Sequence, residues 1–331
     1  MSTADAVAVI IVLAMTLYAC SGLADFGAGL WDLAAGGRAA GRQRRALIDA
    51  AVTPVWEVNH MWLIFMLILC WTAFGTAFAA IMTALFVPLT LAAVGIVLRG
   101  AGFAVRKDAA RSGARHLAGW LFGAGALITP FCLGYTLGTL MTGGVAPGGT
   151  GPAPVTATAV LTGLLAVATG AFVAAGYLTA EAGRRGLPVL ADWFRVRARI
   201  AGGAGLLAGV AALTALRFDQ RRMFDLLVGR GWPLLALGVL ALGATFWLAA
   251  PGRRRGLRPA AVTGVAALVC AWAVAQYPYL LPFGLTIEQG AGAPATMRWV
   301  LVWFAVAVLL VGPALVLAYT LDQRDRLAEE S

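Results

Sequence analysis

The sequence predicts an all-α, polytopic membrane protein. Two counts and one pattern carry that prediction. Of 331 residues, 61% are apolar and 12% charged, with a mean hydropathy of +0.84, whereas soluble domains carry about 25% charged residues. Apolar runs near the roughly 20 residues needed to cross a bilayer recur along the whole chain. Basic residues fall in short clusters between those runs, as membrane-flanking charge does.

Nine runs qualify as spans: 6–30, 57–75, 77–98, 117–140, 156–180, 200–216, 232–250, 260–281 and 299–320. The first lacks a basic leader and a clear cleavage site, so it reads as a span and not as a removable signal. The second and third meet at Phe74-Gly75-Thr76, which predicts a helical hairpin. The sixth is short and Gly-rich. In the eighth, Gln276-Tyr277-Pro278-Tyr279 and Pro282 mark a helix break with aromatic-belt character. Residues 141–155 are Gly/Pro-rich and read as an external linker. They divide the chain into residues 1–140, with four spans, and 156–331, with five spans and a polar tail.

Twenty of the 25 basic residues fall in alternate connections and the C-terminal tail. The positive-inside rule then predicts an external N-terminus and a cytoplasmic C-terminus. The connection with Arg217, Arg221, Arg222 and Arg230 breaks that pattern. Either it has a partner of its own, or the span count slips by one there. The net charge of +10 carries no interleaved aromatic patch, which speaks against nucleic acid as a partner. Cys20, Cys70, Cys132 and Cys270 lie in apolar runs without metal-ligand spacing, and read as buried hydrophobes.

Polar residues at membrane depth are expensive and mark function or assembly. Asp25 lies near the end of the first span, with Ser21 one turn earlier and glycines beside it. Glu57, Asn59 and His60 head the second span, framed by Trp56 and Trp62. Arg99 closes the third. All three span ends lie on the same side, so Asp25, Glu57, His60 and Arg99 can converge at one depth. Two readings stay open for each: helix-end or interfacial groups, or members of a proton or ion path. Glu181 reads as interfacial.

These motifs together resemble subunit II of cytochrome bd-type quinol oxidases. They are Asp25-Phe26-Gly27-Ala28-Gly29, then Pro54 through Leu63, and Leu98-Arg99-Gly100-Ala101-Gly102-Phe103 with Arg106. Looser landmarks follow at 177–199 and 277–282. The resemblance implies nine helices as two four-helix bundles plus one peripheral helix. It implies a partner, subunit I, with the b- and d-type haems and the quinol site, and it allows a small accessory subunit. The complex would oxidise quinol and reduce dioxygen to water in a bacterial cell membrane, with this chain haem-free and inactive alone. It further implies a proton route using Asp25, Trp56, Glu57, Asn59 and Arg99; His60 departs from the family pattern, standing where Glu or Gln is expected, and is a further candidate for that route. Ser21 and Gly119 stand where relatives carry acids, so the carboxylate cluster is thinner here. A proton-coupled transporter and a purely structural subunit are the competing readings.

Overall fold

A computed structural model describes residues 2–108, 112–248 and 256–329; the side chains of 38–40, 52–58, 106–108, 112, 114–116, 311, 314–316 and 318–329 are outside the description. The described chain is helical apart from its loops and one two-stranded hairpin. Its helices are α1 (Thr3–Leu33), α2 (Arg38–Ala73), α3 (Gly75–Ala84), α4 (Phe86–Asp108), α5 (Ser112–Met141), α6 (Ala157–Arg184), α7 (Pro188–Asp219), α8 (Arg221–Gly229), α9 (Trp232–Leu248), α10 (Leu257–Gln276), α11 (Ile287–Gly290) and α12 (Pro294–Glu329). Strands β1 (Tyr279–Leu281) and β2 (Leu285–Thr286) pair antiparallel between α10 and α11.

Six helices are long and apolar enough to cross a membrane, and eight if two bent pairs each count as one span. Pro294–Leu310 is a further, shorter apolar stretch. The predicted count of nine is therefore approximate, and the all-helical membrane architecture holds. Helix α1 packs along α2, α5 and α6; α4 lies along α5, α6 along α7, and α9 along α10.

Several element boundaries differ from the sequence prediction: the third expected span, 77–98, is broken at Leu85 into α3 and α4, and the sixth, expected over 200–216, begins at Pro188 as α7. The second span was expected from residue 57, but α2 starts at Arg38. Leu47 and Ile48 are buried in a core cluster with Ala28 and Trp31 of α1, so this charged first stretch is held by tertiary packing. The expected hairpin at Phe74 is instead a 118° bend into a separate helix, α3. Phe74, Ala77 and Ala80 are buried there, among Val7, Leu281 and Ile287. Packing thus lays α3 across the hairpin end of the molecule before α4 begins.

The 141–155 linker is also more than a tether. Val145 is buried in the same end cluster, and the Ala153 amide donates to the Ala84 carbonyl. Gly143 and Gly148 take φ of +71° and +72°, which glycine supplies without a side-chain clash. The α7 end that leads into the exceptional sixth connection is tied to α6. Asp219 accepts from the Thr158 amide (2.8 Å) and hydroxyl (2.7 Å), closing the first turn of α6. Helix α8 follows, and the chain turns by 74° into α9. The break read from the two prolines falls as predicted: α10 ends at Gln276 and the β-hairpin follows.

Candidate functional site: a polar seam between α1, α2 and α4

The seam begins with helix spacing. Tyr18, Ser21, Gly22, Asp25 and Gly29 recur at three- and four-residue intervals, so they share one face of α1. That face meets Asn59 of α2 and Arg99 of α4. The Arg99 side chain is completely buried, and so is Asp25. Arg99 Nη2 lies 2.5 Å from Asp25 Oδ1 and donates to the Asp25 carbonyl at 2.8 Å. Nε donates to Oδ2 at 3.3 Å. The pair is a forked, charge-assisted contact, the geometry a planar guanidinium favours. Aromatic faces cover it: Arg99 Cζ is 4.2 Å from the Phe122 ring centre and 5.3 Å from that of Phe26.

Glycines make room for this burial. A Cβ on Gly29 would lie 2.5 Å from Arg99 Nη1. One on Gly125 would lie 2.2 Å from the Gly95 carbonyl and 3.0 Å from Arg99 Cβ. Gly27 serves a different contact, because its Cβ would lie 1.9 Å from the Gly170 carbonyl of α6. The two glycines after Asp25 therefore have separate tasks, one admitting Arg99 and one admitting α6.

One turn before Asp25, Ser21 Oγ lies 2.8 Å from the Leu17 carbonyl and 3.0 Å from Asn59 Oδ1. A hydroxyl has one proton. Giving it to Leu17 and turning the Asn59 amide so that Nδ2 donates to Ser21 supplies a proton to both contacts. One amide atom of Asn59 stays unpartnered in either orientation. Asn59 is fully buried, and the Tyr18 hydroxyl and Arg99 Nη1 are likewise buried, with no hydrogen-bond partner among the described residues. Unpaired polar atoms at this density are the kind that ordered water satisfies.

The structure brings together Asp25, Arg99, Asn59 and Ser21. His60 is half-buried, on the next position round α2 from Asn59. Trp56 and Glu57 lie on α2, with side chains outside the described residues. Asn59 stands at the head of the apolar part of α2, Asn59–Ala73, as expected, although the helix itself begins 21 residues earlier, at Arg38. Tyr18 and Phe122 were not singled out from sequence. Tyr18 had a usable signal, seven residues before Asp25 on the same face.

Glu181, read from sequence as interfacial, lies in a cluster of arginines. It ends α6 among Arg184, Arg185 (2.9 Å) and Arg258 (3.6 Å). Among the described residues, no three His, Cys, Asp or Glu side chains group as a metal site.

The family model described as cytochrome bd terminal oxidase subunit II matches residues 3–322. The chain belongs to that family. No curated protein matches it. The structure of bd oxidase from Geobacillus thermodenitrificans matches with a TM-score of 0.78 at 24% identity, covering 97% of this chain and 98% of that one, a likeness of fold. Cytochrome bd oxidase is an oxidoreductase complex, so a haem-containing assembly with a subunit I follows from family membership. This chain's two histidines, His60 and His116, lie on different helices, α2 and α5, and the His116 side chain is outside the description. Subunit II is thus a multi-pass membrane protein whose most polar buried region is the α1–α2–α4 seam.

Proposed function

We propose that this subunit II is the haem-free partner in a complex that oxidises quinol and reduces dioxygen to water, and that its seam helps deliver protons from the cytoplasm. The observation that carries this is the run of buried polar groups on one face of α1, with atoms on Tyr18, Asn59 and Arg99 that find no partner among the described residues. Ionisable and polar groups are kept inside a bilayer where they line water or proton paths. Within the seam the work divides. Asp25 and Arg99 form a closed pair that fixes α1 against α4. Ser21 and Asn59, with Glu57 two residues earlier and His60 beside it, form the part that conducts. The basic connections support an external N-terminus and a cytoplasmic C-terminus. Residues 1–140 and 156–331 then make the two bundles, with α12 peripheral.

The haem-bearing partner would use part of the apolar faces left open on α2, α4 and α7, where Trp71, Phe86, Val97, Ile200 and Leu207 are exposed. The transporter reading needs broken helices at the midplane. Both bends lie instead at the end that carries the β-hairpin. The closed Asp25–Arg99 pair favours a structural role for that residue pair alone.

The test uses the purified two-subunit complex. Asn59→Leu and Glu57→Gln should each lower quinol-dependent oxygen uptake roughly tenfold, equivalent to about 1.4 kcal/mol in the barrier, with haem content unchanged. Full turnover and an unaltered pH profile in both variants would make the seam purely structural.

A further inference from the structure

Trp193 of α7 carries two cations. Arg44 of α2 has its guanidinium carbon 4.4 Å from the indole centre, and Arg197 has its own 3.2 Å from it. The two carbons therefore lie within about 8 Å of each other. The indole is held in place from behind. Trp31 donates from Nε1 to the Ala171 carbonyl at 2.8 Å and packs edge-on against Trp193 at 6.5 Å.

Among the described residues, neither cation has an acid. Asp32 is taken by Arg45 at 3.7 Å, and Asp192 by Arg195. Among the described residues, Arg44 donates to the Ala35 carbonyl (2.7 Å) and Arg197 to that of Trp193 (3.0 Å). Most of their donors are unspent, and two like charges share one aromatic ring. One phosphate can take a donor pair from each guanidinium and bridge roughly this separation. Val189, Trp193, Val196 and Ile200 fall on one stripe of α7, and the three aliphatic members are exposed. An apolar track thus runs past the cation pair. This is the layout of a headgroup site with acyl chains along a helix, with tryptophan at the interface.

We propose that Arg44, Trp193 and Arg197 bind the phosphate of an anionic phospholipid and so dock the α1–α2 turn to α7 at the membrane surface. The lipid is anionic because the two guanidiniums are an excess of positive charge here, while Asp32 and Asp192 each already pair another arginine.

The experiment delipidates the two-subunit complex and returns it to nanodiscs of phosphatidylglycerol or phosphatidylcholine. Native mass spectrometry then counts retained lipid. The wild type should retain one phosphatidylglycerol that Arg44→Gln/Arg197→Gln loses, with apparent affinity down about tenfold. Arg199→Gln, an exposed neighbour, should retain it. Equal retention by wild type and double variant overturns the proposal. So does equal retention of phosphatidylcholine, or protection of the wild type against heat by inorganic phosphate as strong as that by phosphatidylglycerol. If the double variant does not assemble, the wild-type comparison of the two lipids and phosphate decides alone.

Discussion

Two acids near helix ends, Asp25 and Glu181, meet arginine in opposite ways. Asp25 has a single arginine, and both side chains are fully buried. Glu181 has Arg184, Arg185 and Arg258, whose side chains are 46%, 47% and 57% exposed. Counting ion pairs would rank Glu181 first. Physical environment reverses the order. In a water-poor interior the interaction between charges is strong and so is the penalty for leaving one unpaired, while at a surface water screens both. The comparison teaches that the chain keeps α1 against α4 with one pair in the right place, and decorates the end of α6 with several that matter little.

The largest expected effect comes from breaking the buried pair on one side only. Arg99→Met leaves a buried carboxylate with no partner, and Asp25→Leu leaves a buried guanidinium. Either should cost about 3–5 kcal/mol, read as a fall in the thermal midpoint of the complex and in its yield. The double variant Asp25→Leu/Arg99→Met removes both charges and should recover most of that loss, because an apolar pair of similar volume avoids desolvation. If the double variant were as damaged as the singles, the pair would owe its importance to something other than charge compensation.

Next in size is the helix crossing that positions the pair. Gly27→Val would drive a side chain into the Gly170 carbonyl, a backbone atom that cannot rotate away. About 1–3 kcal/mol of overpacking, or a displaced α6, should follow. Gly119→Ala is the matched control, since a Cβ there meets nothing within 4 Å. Unfolding midpoints of the two variants should separate clearly. A tolerated Gly27→Val would mean that α1 and α6 can move apart without cost.

Much of this was legible in the chain. The apolar runs, the break after Gln276, and the meeting of Asp25 with Arg99 followed from hydropathy and from which span ends share a side. What was illegible has physical causes. Helix α2 begins among Arg38, Arg42, Arg44 and Arg45, and no apolar run announces it, because Leu47 and Ile48 are buried only once α1 lies alongside. Gly75 reads as a turn, yet burial of Phe74, Ala77 and Ala80 makes the following segment a helix across the end. Phe122 covers Arg99 only through packing of α5 beside α4, a contact between distant parts of the chain. Ser21 read as a lost acid, and the structure instead gives it to Asn59.

The smallest expected effect returns to Glu181. Glu181→Gln removes a carboxylate from three arginines that already face solvent. Each exposed pair contributes roughly 0–1 kcal/mol, and the released cations are rehydrated at once. The thermal midpoint of the complex should therefore shift by a degree or two in dilute buffer. Wild type and variant should converge near 1 M salt, where the Debye length is about 3 Å. Arg99→Met should keep its full deficit at the same salt, because ions do not reach a side chain with no exposed surface. A Glu181→Gln deficit that persisted in high salt would put Glu181 in the same class as Asp25, and the distinction between a buried pair and a solvated cluster would fail at the residue where it is easiest to measure.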